Sequence, residues 1–333
     1  MSTFRVYVAG TCTSAMDYFG LIKDFRHAGF FETSYHKRLF QEIKTAIISG
    51  NLIALTGVVG SGKTVLLRRF QHYLKDSRII VSKSQMVEKE KVNLASLISA
   101  LYYDLTLKTD TIIPASGEKR ERELQVLIKT RRKPVVLLVD EAHDLNEKAL
   151  CEIKRLLEVI QESGCTLSVL LAGHPKLKNV LNRPTMKEIG YRSKPFTLDP
   201  SEFSRKEFIE WLLDECSQPD IKPADIMEPE AIDLLSEKLS TPLQIIQHLT
   251  ASLEASHQAD EKPVSVNMVQ SVISDTLYDW EVTLTRHGYN SRNLAQLLDT
   301  KPAEIKALFK GDLDASRTRE LQEELMVVGL PVK

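Results

Sequence analysis

The sequence predicts an α/β fold: a three-layer parallel sheet core, a smaller all-helical lid and a short helical C-terminal segment. Three observations lead there. Short apolar runs alternate with helical stretches up to Asp199, strand-like runs stop after it, and 333 residues make about two domains at roughly 100–200 residues each.

Residues 1–34 mix aromatics with Gly10, Gly20 and Gly29 without a sustained period, which predicts an irregular lead-in. From Tyr35 the apolar positions Leu39, Ile43 and Ile47 recur every four residues, Ser34 can cap the start and Gly50 can end the helix. Leu52 to Thr56 then reads as a strand, followed by a glycine-rich turn and a helix from Val65 to Leu74. Further strands are predicted at Arg78 to Ser82, Val135 to Val139, Leu167 to Ala172 and Pro195 to Leu198. Helices between them are predicted at Leu94 to Leu107, Glu121 to Lys129 and Glu147 to Glu162. Residues 35–199 thus form the α/β domain.

Residues 200–284 read as the lid. Ser204 to Ser217 opens on a capping box of Ser204 and Glu207, and helices follow near Glu228 to Leu239, Pro242 to Ala255 and Val266 to Leu277. Residues 285–333 carry two short helices, Asn293 to Leu298 and Ala303 to Phe309, around a turn.

Composition excludes several classes. Lys plus Arg total 44 against 45 Asp plus Glu, a net charge of -1, so a polyanionic partner must meet a local patch rather than a basic molecule. The four cysteines, Cys12, Cys151, Cys165 and Cys216, match neither a zinc pairing nor a compact disulfide framework, and are read as reduced, mostly buried thiols. Aliphatic runs such as Val135 to Val139 fall far short of the roughly 20 residues that span a bilayer. The N-terminus lacks a basic stretch before an apolar signal core. A soluble, cytoplasmic protein is expected.

Gly57-Val58-Val59-Gly60-Ser61-Gly62-Lys63-Thr64 has the spacing of a phosphate-binding loop, between a predicted strand and a helix opening at Val65. Glycines let successive backbone N–H groups turn inward and cradle phosphate oxygens where the helix dipole also favours anions. Lys63 is then expected to reach the β and γ phosphates, and Thr64 to hold Mg²⁺. Val135 to Val139 delivers Asp140 and Glu141 at a strand end, Asp140 for the Mg²⁺ shell and Glu141 to polarise a water for in-line attack. His174, after Leu167 to Ala172, is placed to sense the γ-phosphate. Arg192, before the last strand, is the candidate for reaching a neighbouring subunit's nucleotide, with Arg183 its competitor. Such an arginine contributes roughly 10³ to 10⁵ in rate.

Together these motifs, with a helical lid after them, resemble an AAA+ ATPase over about Tyr35 to Leu277. Asp140-Glu141-Ala142-His143, the Gly173-His174-Pro175 turn and Ser240-Thr241-Pro242-Leu243-Gln244-Ile245 resemble the TnsC and TniB transposition regulators, with MuB and ExeA-type ATPases as relatives. The resemblance implies ATP and Mg²⁺ as cofactors, and a ring or filament of copies on duplex DNA. It also implies a transposase and a target-selection protein such as TniQ as partners. The compact chain is most like the TnsC of CRISPR-associated transposons. Tyr35 and His36, with Phe31, resemble the linker that flanks adenine. Many AAA+ lids carry a second sensor arginine just after the proline; Leu243 and Gln244 stand in that region here. The alternatives are an ExeA-like ATPase of an envelope or secretion apparatus and a replication initiator or loader.

For DNA, Lys83, with Lys89 and Lys91, is read as following the second strand, and Lys119 and Arg120, with Arg122, as preceding the third. In a ring these loops can face the pore and contact phosphates without reading sequence. Leu294 to Phe309, with Ala295, Leu298 and Ile305 inward, has the layout of a helix-turn-helix. From Thr285 to Lys333, however, eight basic residues stand against seven acidic and no basic face is evident on the second helix. The segment is therefore read as a partner-docking module.

Overall fold

The computed structural model of the chain describes residues 14–75, 78–84, 94–106, 113–142, 145–181, 193–199, 204–275 and 289–310, and isolated positions between 183 and 328. In chain order its elements begin with α1 (Ser14–Phe19), a 3₁₀ turn (Phe25–His27), α2 (Ser34–Ile48), β1 (Leu52–Thr56) and α3 (Lys63–Lys75). Next come β2 (Ile80–Ser84), α4 (Leu94–Leu105), α5 (Gly117–Arg131), β3 (Val135–Val139), α6 (Glu147–Glu162), β4 (Leu167–Gly173), α7 (Pro175–Leu181) and β5 (Ser193–Thr197). The rest is helical: α8 (Arg205–Cys216), α9 (Pro223–Ile226), α10 (Pro229–Lys238), α11 (Pro242–Gln258), α12 (Val266–Asp275), α13 (Ser291–Leu297) and α14 (Pro302–Lys310).

The chain divides into two compact units, one of Glu32–Val58 with Gly62–Asp199, the other of Met1–Phe31, Val59–Ser61 and Pro200–Lys333. The first is a five-stranded parallel sheet in the order β2-β3-β4-β1-β5. Every residue of β1, β3 and β4 is buried, the expected signature of central strands covered on both faces. Edge strand β5 is half-exposed and tolerates Pro195 because an edge position leaves a ladder donor unneeded.

Local signals explain the helix ends. Thr33, not Ser34, caps α2: its hydroxyl accepts from His36 N at 3.3 Å, and His36 Nδ1 accepts from Thr33 N in return. A histidine thus completes a reciprocal box ordinarily closed by Glu or Gln. Ser204 caps α8 by accepting from Glu207 N at 3.4 Å. β2 lies two residues later than its apolar run suggested, because Ser82 and Ser84 are buried and small enough to serve as core residues there. Ser82 satisfies its hydroxyl by donating to Asp104 of α4 at 2.6 Å.

The lead-in expected to be irregular is ordered from Ser14 onward. Its apolar residues serve a six-residue helix and a single turn, too short to display a period. Met16, Phe19, Leu21 and Phe25 join one core with Phe208 and Leu212 of α8, Leu235 of α10 and Leu249 of α11. Backbone bonds fasten the segment, Ile22 N donating to Cys216 O at 2.8 Å and Gln218 N to Gly20 O at 3.0 Å. Lys23 also pairs with Glu215 at 2.7 Å.

The expectation of buried thiols holds for Cys216, while Cys165 is half-buried and Cys151 exposed; Cys12 lies outside the described residues. No helix among the described residues is long and apolar enough to cross a membrane. Because Phe19 is fully buried in the helical unit, Phe19→Ala should destabilise that unit by about 3–5 kcal/mol. A lowered urea midpoint for the far-UV transition will register the loss; an unchanged midpoint would mean that the segment contributes no packing.

Candidate functional site

Parallel strands place all their C-terminal ends at one edge of the sheet, where α/β folds bind ligands. In this register Thr56 stands beside Gly173 and Val139 beside Leu171. The phosphate loop, the acidic pair and His174 therefore leave three adjacent strands, in the order β3-β4-β1, from the same edge.

The loop is held by its own backbone. Gly57 N donates to Gly173 O at 3.2 Å, and Leu66 N donates to Gly62 O at 2.8 Å, opening α3. Gly60 and Gly62 adopt φ of 77° and 88°, a region that costs side chains roughly 1–2 kcal/mol. At Gly62 an added Cβ would meet nothing within 4 Å, so open space faces the loop there. Ser61 Oγ is buried and has no hydrogen-bond partner among the described residues. These features fit a phosphate cradle.

Lys63, 9% exposed, donates to Gly57 O at 2.9 Å and to Val58 O at 2.8 Å. Burial pushes its pKa down, while the charges of Glu141 and Asp140 oppose that and favour the ammonium. The lysine is thus a buried cation facing both acidic candidates. Asp140 is half-buried and Glu141 exposed; Asp140 Oδ1 accepts from Glu141 N at 3.0 Å. Glu141 has φ of 52°, a left-handed conformation that costs a non-glycine residue about 1–3 kcal/mol and concentrates at functional sites. Thr64 follows Lys63 in the first turn of α3, and Val65 is exposed.

The tip of the loop, Val59–Ser61, belongs to the helical unit. Leu243 N donates to Gly60 O at 3.3 Å, and a Cβ on Gly60 would stand 2.7 Å from Leu243 Cβ and 3.0 Å from Thr241 Oγ1. The start of α11 that supplies this contact is closed by a reciprocal capping box. Gln244, 1% exposed, accepts from both Ser240 N and Thr241 N, at 3.0 and 3.1 Å. Sequence reasoning noted Leu243 and Gln244 as part of the TnsC-like segment and as the region where a sensor arginine was expected, not as a contact of the loop. The readable signal was Thr-Pro-x-Gln, a capping box with proline at N1.

Other predicted residues separate. His174 starts α7 through its carbonyl, which accepts from Leu177 N at 2.8 Å. Tyr35 donates to Thr197 O at 2.6 Å, beside His36, whose ring closes the α2 cap. Arg183 pairs with Glu147 at 2.6 Å, while Arg192 lies outside the described residues, as do His143, Lys89 and Lys91. Lys83 sits within β2 rather than after it. Lys119 and Arg120 sit on α5 rather than in a loop. Lys119 is exposed and lies 3.9 Å from Glu123. Arg120 donates to Pro114 O and Ala115 O, at 3.0 and 2.9 Å, so its guanidinium fastens the turn before α5.

Residues 48–181 match the family described as AAA domain. They form an AAA-type P-loop ATPase domain. No curated protein matches the sequence. Among solved structures, Drosophila ORC bound to DNA is 16% identical, with a TM-score of 0.52 over 98% of this chain and 87% of that one. The Aeropyrum pernix Orc1 protein in complex with DNA gives 16%, 0.50, 88% and 82%. Cdc6p from Pyrobaculum aerophilum gives 16%, 0.49, 88% and 86%. At these identities the likeness is one of fold.

Gly60→Ala and Gly62→Ala should separate the two demands on the loop. Both incur backbone strain of roughly 1–2 kcal/mol, but only Gly60→Ala also overpacks against Leu243, which adds about 1–3 kcal/mol. Urea denaturation should rank Gly60→Ala as the less stable variant; equal stabilities would remove the contact with α11 as a constraint.

Proposed function

We propose that this chain is an ATP-dependent DNA-binding regulator of transposition, which assembles with further copies on duplex DNA, marks the target site and recruits the transposase. The observation that carries the ATPase part is the strained, solvent-facing Glu141 beside Asp140, one strand removed from the phosphate loop. The transposition part is supported by the resemblance of Asp140 to His143, Gly173 to Pro175 and Ser240 to Ile245 to TnsC and TniB. Duplex DNA is the partner that this resemblance implies.

ATP with Mg²⁺ supplies the transferable phosphoryl group and its counter-charge. The backbone amides after Gly57, up to Thr64, would bind the phosphates, Lys63 would exchange its carbonyl acceptors for phosphate oxygens, and Thr64 and Asp140 would hold the metal. Glu141 accepts a proton from the attacking water, the role its exposed carboxylate suits. His174 reports the γ-phosphate, and Arg192 completes the site of a neighbouring copy. Lys83 and Lys119 contact DNA phosphates in the assembled pore; Arg120 contributes through the turn it fastens. Hydrolysis then loosens the assembly and releases the DNA, which makes the ATPase a timer. TniQ-like target selectors and transposase subunits are the protein partners of this cycle.

Two substitutions test this. Glu141→Gln should keep ATP affinity within a few fold, lower turnover by roughly 10²- to 10⁴-fold and accumulate ATP-bound assemblies on duplex DNA. Lys63→Ala should abolish those assemblies. Electron microscopy and co-sedimentation with duplex DNA and ATP provide the readout. Persistence of ATP-dependent DNA complexes in the Lys63 variant sinks the mechanism, and ATP turnover without any duplex association would favour an ExeA-like role.

A further inference from the structure

The tail reads differently in three dimensions than by its summed charge. Helices α13 and α14 are joined by four residues, 298–301, the turn length of a helix-turn-helix. Asn290 caps α13 by accepting from Arg292 N and Asn293 N, at 3.0 and 2.9 Å. Leu298 N and Thr300 N close the turn on Leu294 O and Ala295 O, at 3.0 and 2.9 Å. Between them Asp299 takes φ of 48°, the left-handed step for which such turns ordinarily use glycine. Leu294, Ala295, Ile305 and Leu308 point into one small core, closed by Leu284, Leu321 and Leu325. A small residue at 295 lets the two helices approach closely.

The charges are sorted as well. Glu304 is the only acidic residue of α14, and its carboxylate is engaged within the segment: Arg317 donates to it at 2.7 Å and Thr300 donates to its other oxygen. Arg317 also pairs with Glu320 at 2.8 Å. Counting the tail as a whole therefore mixes charges used internally with charges presented outward. Among the described residues of the two helices and their turn, the exposed charges are Arg292, Lys301 and Lys306, against Asp299. Pro302 and Ala303, also exposed, keep the first turn of α14 free of bulk.

We propose that α13 and α14 form a DNA-reading helix-turn-helix, a duplex-binding site separate from the ATPase and independent of nucleotide. In this geometry the second helix enters the major groove by its N-terminal turn while the first crosses the backbone. Ala303 and Lys306, three residues apart on one face of α14, meet base edges; an alanine suits a thymine methyl and a lysine suits guanine O6 and N7. Arg292 and Lys301 meet phosphates. The site gives sequence preference to a chain whose ATPase contacts with DNA are read as nonspecific.

The test uses the full chain without nucleotide, a random-sequence duplex pool for selection and fluorescence anisotropy at several salt concentrations. The wild type should bind duplex and enrich a short sequence. Arg292→Ala with Lys301→Ala should weaken binding at least tenfold and flatten the salt dependence by roughly 1.8 in log–log slope, about 0.9 per phosphate contact. Lys306→Ala should relax the enriched sequence at one position. All three side chains are exposed, so melting curves should not change, and ATP-dependent assembly on DNA should survive, which separates this site from the ATPase reading. Duplex binding only in the presence of ATP, or wild-type affinity in the double variant, overturns the proposal. So does loss of transposase capture in that variant with nucleotide-free DNA binding intact, which would make the tail a protein-docking module.

Discussion

A loop that turns on two positive-φ glycines, Gly60 and Gly62, has few side chains with which to hold its own shape. That constraint organises this molecule. Gly60 and Gly62 must sit at positive φ, a conformation with little intrinsic persistence, so the loop is pinned by what flanks it. Gly57 N is fixed to Gly173 O on β4, Gly62 O to the first turn of α3, and Gly60 O to the N-terminus of α11. Each anchor is a backbone hydrogen bond, insensitive to side-chain identity but sensitive to displacement of the element that supplies it. The fully buried strand β4 supplies the first of these anchors, and α3 the second. The third depends on the Gln244 capping box, which fixes the residues around Leu243.

Charge at the site follows from the same geometry. Burying an ammonium is costly unless it is paired or hydrogen-bonded, and Lys63 meets that cost with two carbonyl acceptors and the field of two carboxylates. None of these partners is a close ion pair, so the cation is stabilised without being committed to one neighbour. Phosphate oxygens can replace the carbonyls without breaking a salt bridge. Asp140 and Glu141 differ in the complementary way: Asp140 receives a backbone N–H and is half-buried, while Glu141 projects from a strained residue into the open. One carboxylate is positioned and the other is accessible, a division that suits metal binding and proton acceptance respectively.

Most of the sheet was legible because its central strands are uniformly apolar. Val135 to Val139 and Leu52 to Thr56 needed no tertiary information. β2 was misplaced because its core residues Ser82 and Ser84 are polar in type and buried only through partners such as Asp104, which lies on another element. The N-terminal segment was misread for a related reason. A helix of six residues shows no period, and Met16 and Phe19 declare themselves core residues only when α8 and α11 are laid beside them. The phosphate loop was legible as a motif, but the restraint on Gly60 was not, since Leu243 lies 183 positions away. Arg120 illustrates the limit on charge: its sequence neighbours suggest an outward cation, whereas its fork closes on the carbonyls of Pro114 and Ala115.

The tail extends that lesson from one residue to a surface. A net charge is a sum over groups, and DNA responds to the subset that faces it within roughly a Debye length of 8–10 Å. Arg317 pairs with both Glu304 and Glu320, a network whose own net charge is -1. Setting them aside takes residues 285–333 from eight basic against seven acidic to seven against five. The turn argues in the same direction. Holding Asp299 in the left-handed region costs about 1–2 kcal/mol, and a helical hairpin that needed only to pack could reach its neighbour through less strained connections. The strain is intelligible if the angle between α13 and α14 is what the sequence maintains, and a fixed angle between two short helices matters most when one must enter a groove while the other stays outside it.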